Sequence, residues 1–219
     1  MIRTRWKAAR AVALSACLLT GGAAVQAAPI AHLALDSEPG DFIGLGLDFD
    51  ITYTPANSDF FSPQIRRTIG PSDDPAELLF VLGTVTSGLD NTFALLFFGT
   101  DARGVPIGPG FFSQAERADF ATPGHPGLDV SFQNRGCNTL TGSFTVNDVS
   151  FSGEAEAATG SAIARFSASF EQHCEGAAPA LTGTFTYDAF GVPEPSTLML
   201  SLLPLAFFGV PRVTKRDRT

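Results

Sequence analysis

The sequence predicts an all-β fold, a single antiparallel β-sandwich or jelly-roll domain of about eight to nine strands. Phe is the commonest large apolar residue between the two chain ends, and it occurs among Gly, Ser, Thr and Asp, a mixture that favours strands joined by turns. Several segments also alternate apolar and polar residues with a period of two. Residues 28–192 between the two chain ends suffice for one domain with its own core.

The first strands are predicted between residues 31 and 54. Ala31–Leu35 is a short apolar run that ends at the acidic turn Asp36–Asp41. In Phe42–Thr54 apolar residues alternate with Gly, Asp and Thr, which predicts a strand with one face in water. Ser62–Pro75 holds three prolines and is predicted to be a loop.

A hairpin buried on both faces is predicted next. The apolar runs Leu78–Thr86 and Thr92–Phe98 are separated by a turn-forming segment. A helix from Ala76 is the alternative, but the β-branched residues that follow argue against it. Gly104–Gly127 is rich in Pro and Gly and predicts a long irregular connection, with one helical turn at Ser113–Arg117.

The last third of the body has the clearest strand pattern. Leu140–Asn147 recurs in altered form as Leu181–Asp188, and Ser161–Cys174 alternates between them. The Phe-bearing face of that middle segment is predicted to point inward, which would bury Cys174. We therefore expect an antiparallel meander of three neighbouring strands.

Residues 1–27 have the composition of a secretory signal peptide. Four basic residues precede the apolar run Ala11–Leu19, and small residues then lead to Ala27. This pattern predicts a signal helix that signal peptidase removes by cleavage after Ala27. A buried N-terminal helix is the alternative, but it would need a polar face that this run lacks.

The C-terminal residues 192–219 combine three features of a sorting tail. The motif Val192, Pro193, Glu194, Pro195 precedes the apolar stretch Leu198–Val210, and basic residues follow it, as on a cytoplasmic membrane flank. The stretch has 13 residues, whereas a helix needs about 20 to cross the hydrocarbon core. A transient membrane contact therefore suits this helix better than a permanent anchor.

This tail resembles the PEP-CTERM sorting signal of secreted proteins in Gram-negative, often biofilm-forming bacteria. The resemblance implies transient anchoring in the inner membrane and cleavage near Pro193-Glu194-Pro195 by an exosortase-type membrane protease. The mature protein would then be attached to the cell surface or released outside the cell. Pro204 in the helix, and Thr214 and Asp217 in the basic end, depart from the family pattern.

The secreted domain, residues 28–191, is strongly acidic. The chain has a formal charge of −8; the leader contributes +4 and the tail +2, so the body carries −14. It contains six Arg and no Lys. Such a surface excludes nucleic acid as a partner and favours cation binding or the solubility that net charge provides.

Two cysteines remain once Cys17 leaves with the leader. In an oxidising compartment the pair Cys137 and Cys174 predicts a disulfide, which would stabilise the fold by about 4 kcal/mol. A two-thiol metal site or a redox couple is the alternative, but no C-x-x-C spacing supports it. His173 would point to the opposite strand face from Cys174, so a catalytic dyad of these neighbours is not expected.

Two motifs around these cysteines resemble the signature of a family of uncharacterised secreted bacterial β-proteins. They are Arg135–Phe144 (RGCNTLTGSF) and Phe170–Gly176 (FEQHCEG), and Ser37–Gly44 and Pro126–Asp129 fit earlier segments of that family. The resemblance implies one secreted domain and no particular chemistry. The chain departs from the family near Thr186, where an Arg is usual.

No catalytic residue is assigned, because the sequence contains no G-x-S-x-G, Walker A, GxGxxG or HExxH motif. No cofactor is expected either, apart from a weak Ca²⁺ hypothesis at the acidic turn residues Asp36, Glu38 and Asp41. Acids at turns more often are solvated or bond their own backbone. Glu171 and His173 would share a strand face and offer a still weaker zinc site.

Thr-x-Thr pairs occur at four places: Thr52/Thr54, Thr84/Thr86, Thr139/Thr141 and Thr182/Thr184. An ordered Thr array could bind ice or polysaccharide, but no regular repeat aligns these pairs, and Thr is a common strand residue. The sequence therefore favours a non-catalytic surface or extracellular-matrix protein that binds extracellular polysaccharide or cations. The alternative is a secreted polysaccharide hydrolase whose paired carboxylates are brought together by the fold.

Overall fold

The computed structural model describes residues 27–153 and 161–191, and these residues form an almost entirely β structure. Ten strands occur in them, together with three short 3₁₀ helices. The strands are β1 (Ile30–Ser37), β2 (Phe49–Tyr53), β3 (Phe60–Ile69), β4 (Asp74–Gly83), β5 (Ala94–Gly99), β6 (Gly110–Arg117), β7 (Gly127–Phe132), β8 (Leu140–Phe151), β9 (Ile163–Cys174) and β10 (Leu181–Asp188).

All ten strands belong to one sheet in the order β2-β1-β10-β9-β8-β6-β7-β5-β4-β3. Every neighbouring pair is antiparallel except β6 and β7, which pair in parallel. The sheet curls almost into a closed barrel. As a result, Phe61 on the edge strand β3 lies 6.3 Å, ring to ring, from Tyr187 on β10 near the other edge. The all-β prediction is thus confirmed, but a single curled sheet replaces the expected sandwich of eight or nine strands.

Phenylalanine rings fill the inside of the curled sheet. Phe80, Phe98, Phe166 and Phe185 come from four different strands and are almost inaccessible to solvent. Ring centroids lie 4.7 Å apart for Phe80 and Phe185 and 5.0 Å apart for Phe98 and Phe166. Full burial of such a side chain stabilises the fold by about 1.5–3 kcal/mol, so this cluster accounts for the high Phe content of the domain.

The predicted hairpin and meander are both present. β4 pairs with β5 as an antiparallel hairpin, so the helix considered from Ala76 does not form. β8, β9 and β10 pair consecutively as antiparallel neighbours. On β9 the residues Phe166, Phe170 and Cys174 are buried, as the alternation predicted.

The strand predicted over Phe42–Thr54 is wrong in its first half, because only Phe49–Tyr53 is extended. The buried Asp41 carboxylate accepts hydrogen bonds from Ser37 Oγ at 2.8 Å and from Gly44 N–H at 2.7 Å, which bends the chain into turns. Leu45 (φ 57°) and Gly46 (φ 76°) adopt left-handed conformations that a strand does not contain.

Two segments predicted to be irregular are strands instead. Most of Ser62–Pro75 belongs to β3 and the start of β4. β3 is an edge strand, where a proline such as Pro63 is tolerated because one side of the strand has no ladder. Ser113–Arg117 lies in β6, and Gln114 (φ 56°) forms a bulge there rather than part of a helical turn.

A buried glutamine on β9 bonds to β7, which is not its neighbour in the sheet, near the predicted disulfide. The Cys137 and Cys174 sulfurs lie 1.97 Å apart, at bonding distance. Gln172 is 0% exposed; its Oε1 accepts from Val130 N–H at 2.9 Å and its Nε2 donates to Val130 C=O at 2.8 Å. Since β6 pairs with β7 only at Gly127 and Leu128, the Gln172 amide takes the place of a neighbouring strand for Val130.

The predicted chain ends fall outside this description. The signal helix, the motif residues Val192, Pro193, Glu194 and Pro195, and the hydrophobic tail all lie beyond the described residues. Within residues 27–153 and 161–191, no helix has the length and hydropathy that crossing a bilayer would require.

Candidate binding groove

An open groove of about 610 Å³ crosses four neighbouring strands, β2, β1, β10 and β9. Its volume lies within the range of about 300–1,000 Å³ typical of ligand sites. The lining combines small, hydroxyl-bearing, acidic and aromatic residues: Ala34, Leu35, Asp36, Asp48, Phe49, Asp50, Ser169, Phe170, Thr182, Gly183 and Thr184.

Hydroxyl side chains follow two adjacent strands on the outer side of the sheet. Thr182, Thr184 and Thr186 alternate along β10 with buried residues, so all three project outward. Thr184 pairs with Ser169 and Thr186 with Ser167 on β9, whose outward residues alternate in the same way. Neighbours lie about 4.8 Å apart across strands and about 6.8 Å apart along a strand, so residues from separate chain segments form an ordered array.

Carboxylates lie at the β1–β2 side of the groove. Asp36, Asp48 and Asp50 all line it. Asp50 Oδ1 is paired with His32 Nε2 at 2.5 Å, and Thr182 Oγ1 donates to the main-chain oxygen of Asp36 at 3.3 Å. No Arg or Lys lines the groove in the described part of the chain, so its local charge disfavours anionic ligands.

The three weak calcium candidates occupy different settings. Asp36 is exposed at the groove, whereas Glu38 Oε2 accepts a hydrogen bond from Ala180 N–H at 3.0 Å. Asp41 is buried and organises the turn after β1. In residues 27–153 and 161–191, no group of three or more His, Cys, Asp or Glu is arranged to hold a metal ion.

Glu171 and His173 lie beside each other on β9, as the alternation predicted. His173 Nε2 is 3.3 Å from Glu171 Oε1, and its Nδ1 is 3.0 Å from the main-chain oxygen of Ala178. Both ring nitrogens therefore have protein partners. Cys174 is bonded to Cys137 and points into the core, so it offers no thiolate for nucleophilic attack.

A buried glutamate on β4 was missed by the sequence reasoning. Glu77 has no exposed surface, and its Oε1 lies 3.5 Å from Arg67 Nε and 3.7 Å from Arg66 Nε. Burial, and then the nearby Asp101, raises the pKa of the Glu77 carboxyl, although the two arginines oppose the shift. The available signal was an acid directly before the apolar run Leu78–Thr86.

Comparisons with known proteins found no match: no family model, no curated protein and no solved structure is similar to this chain.

Proposed function

We propose that the chain is an exported, exosortase-processed surface or extracellular-matrix protein, and that its β domain is a non-catalytic carbohydrate-binding module. The observation that supports binding is the ordered hydroxyl array of Thr182, Thr184 and Ser169 in a groove that also presents carboxylates. Hydroxyls donate and accept hydrogen bonds, and a carboxylate accepts two, which suits the many hydroxyl groups of a sugar polymer.

The composition of the groove narrows the type of carbohydrate. The Phe49 ring faces the core, where it lies 4.7 Å from the Phe132 ring, so the groove offers a sugar mainly the hydroxyl and carboxylate groups of its outer face. The acidic side and the absence of Arg and Lys among the described lining residues disfavour anionic polymers. We therefore propose a neutral polysaccharide as the ligand.

A binding panel with matched variants tests this proposal. The fragment of residues 28–191 is incubated with insoluble neutral glucan, chitin and a uronic-acid polymer, and the bound fraction is measured. Changing Thr182 and Thr184 together to Val removes two hydroxyls while the side chains keep a similar shape. At about 0.5–1.5 kcal/mol per hydrogen bond, the affinity should fall about 5- to 140-fold.

The control variant is Thr68→Val, since Thr68 is exposed on β3 and does not line the groove. It should bind as tightly as the unchanged fragment. Binding that survives the double change, or a preference for the uronic-acid polymer, would show that this groove is not the carbohydrate site.

The delivery route is tested by the intact mass of the protein recovered from the producing cell. The expected mass lacks residues 1–27 and the tail beyond the Pro193–Pro195 motif, and it is lower by two hydrogens for the Cys137–Cys174 bond. A full-length cytosolic protein with both thiols titratable would refute export and processing.

The acids of the groove support a second candidate function, a secreted polysaccharide hydrolase. Three aspartates lie in one cleft, and glycoside hydrolysis requires two carboxylates that flank the scissile bond. Release of reducing ends from the neutral glucan is the corresponding assay. If release occurs, and Asp36→Asn or Asp50→Asn abolishes it while binding persists, the domain is an enzyme rather than a binding module.

A further inference from the structure

A second pocket, of about 350 Å³, lies between three loops and shares no residue with the groove. Its lining contains apolar and uncharged polar groups and one guanidinium, but no acid: Leu45, Leu47, Thr86, Gly88, Asn91, Gln133, Asn134 and Arg135. In a domain that carries a formal charge of −14, a pocket lined by one Arg and no acid is a local exception.

Arg135 is held at this pocket by neutral partners. Its Nε donates to the main-chain oxygen of Ile43 at 2.6 Å, and its Nη2 donates to Gln133 Oε1 at 2.9 Å. Arg66, Arg117 and other arginines pair with carboxylates, whereas Arg135 has no ion pair with any residue that the structure describes. Its positive charge is therefore not compensated locally.

Gln133 supplies a buried donor that has no partner in the described part of the chain. The residue is 9% exposed, and its Nε2 is buried with no hydrogen-bond partner among the described residues. The orientation of the amide is fixed, because Arg135 is a donor only and must face Gln133 Oε1. Because Gln133 lines the pocket, an acceptor oxygen of a ligand bound there is a candidate partner for this nitrogen.

The other wall of the pocket is aliphatic. Leu45 and Leu47 are 56% and 47% exposed, unusually open for leucines that line a pocket. Leu45 (φ 57°) and Gln133 (φ 51°) both adopt left-handed backbone conformations, which are unfavourable for residues with a side chain. The pocket therefore combines aliphatic side chains with a cation that has no ion pair and an amide donor that has no partner among the residues that the structure describes.

We propose that this pocket binds a small aliphatic carboxylate, with its oxygens against Arg135 and Gln133 and its hydrocarbon part against Leu45 and Leu47. A guanidinium recognises a carboxylate by charge-assisted hydrogen bonds, and the leucines remove the hydrocarbon from water. The acidic surface elsewhere does not prevent this, since charges are screened over about 8 Å at physiological ionic strength. The proposal is independent of the carbohydrate groove.

Calorimetric or NMR titration of the full chain in mild detergent tests the proposal with three probes. These are 4-methylpentanoate, the uncharged 4-methylpentanamide of the same shape, and galacturonate, a carboxylate carried on a sugar. We expect the first to bind about tenfold or more tightly than either of the others, because only it has both the charge and the aliphatic group. Equal affinity of the acid and the amide, tighter binding of galacturonate, or no binding of any probe would overturn the proposal.

A matched pair of exposed substitutions locates the site. Leu47→Asp places a negative charge on the pocket wall and should weaken 4-methylpentanoate binding about tenfold or more. Val105→Asp adds the same charge at another exposed apolar position that does not line the pocket, and should leave binding unchanged. Both sites are on the surface, so folding is expected to survive. Equal losses in the two variants, or none in Leu47→Asp, would show that the acid binds elsewhere.

Discussion

Replacing Gln172 by Leu tests how the barrel satisfies the backbone of β7. The Gln172 amide is wholly buried and makes two hydrogen bonds with Val130, of 2.9 and 2.8 Å. Leu occupies a comparable volume but has no polar atom, so both Val130 groups would be buried without partners. Each buried group without a partner costs about 1–3 kcal/mol, so the free energy of unfolding should fall by about 2–6 kcal/mol. This is a large share of the total unfolding free energy of a domain, which is typically about 5–15 kcal/mol.

Urea unfolding monitored by far-UV circular dichroism measures this loss, because the one Trp of the chain, Trp6, lies in the leader. Gln64→Leu is the matched control, since Gln64 is exposed on β3 and surface changes usually alter stability by less than about 0.5 kcal/mol. If Gln172→Leu lost no more stability than Gln64→Leu, the amide would not be the partner that Val130 requires.

A Gln172→Glu variant should have a stability that depends on pH. A protonated carboxyl can donate to Val130 C=O and accept from Val130 N–H, whereas the ionised form has no donor. Burial would raise the folded-state pKa of this carboxyl above its unfolded value, so stability should be restored at low pH and lost as the pH rises through the folded-state pKa. A stability difference from the unchanged protein that stays constant with pH would contradict this account.

Three further predictions concern stability. Burial raises the pKa of Glu77 above its unfolded value, so its protonated form stabilises the fold at low pH and this contribution disappears as the pH rises through the folded-state pKa. Urea unfolding from acid to neutral pH should therefore show a decline in the free energy of unfolding that the Glu77→Gln variant lacks. Parallel pH profiles of the two proteins would refute this. The Cys137–Cys174 disulfide joins residues that are 37 positions apart in the sequence. Its reduction should lower the free energy of unfolding by about 4 kcal/mol. An unchanged urea midpoint in reductant would argue against this. A Cβ at Gly142 would lie 2.2 Å from a neighbouring main-chain oxygen, so Gly142→Ala should cost about 1–3 kcal/mol. Gly108→Ala, where a Cβ meets nothing within 4 Å, should change the urea midpoint little, and equal effects would refute the steric reasoning.

The strands that could be predicted are those whose side-chain pattern is set by burial alone. β9 shows Phe166 and Phe170 on one face with polar residues between them, so its period of two survives in the structure. The pattern over Phe42–Thr54 was misleading because a single buried carboxylate, that of Asp41, fixes a turn inside it. Pro63 instead led to a loop prediction where a strand forms. An edge strand accommodates a proline, but the sequence does not show which strand is at the edge.

The groove could not be predicted, because its residues meet only through the strand order. Asp36 and Thr182 are far apart in the chain and become neighbours when β1 pairs with β10. The Thr182/Thr184 pair was visible in the sequence, but its alignment with Ser169 depends on the register of β10 on β9. Gln133 and Arg135 gave no signal of a pocket, since their significance lies in the lack of an amide partner and of an ion pair among the described residues rather than in a motif.

The pairing of Ile30 with Asp188 has a mechanical consequence. The two ends of the domain emerge side by side from interior strands of the sheet, and the groove residues Asp36 and Thr182 lie near the other end of the same strands. If the protein is tethered beyond Asp188 while a polymer pulls on the groove, the tension runs along the axis of β10. The hydrogen bonds on both sides of that strand would then be sheared together rather than unzipped one at a time, an arrangement that resists flow and drag.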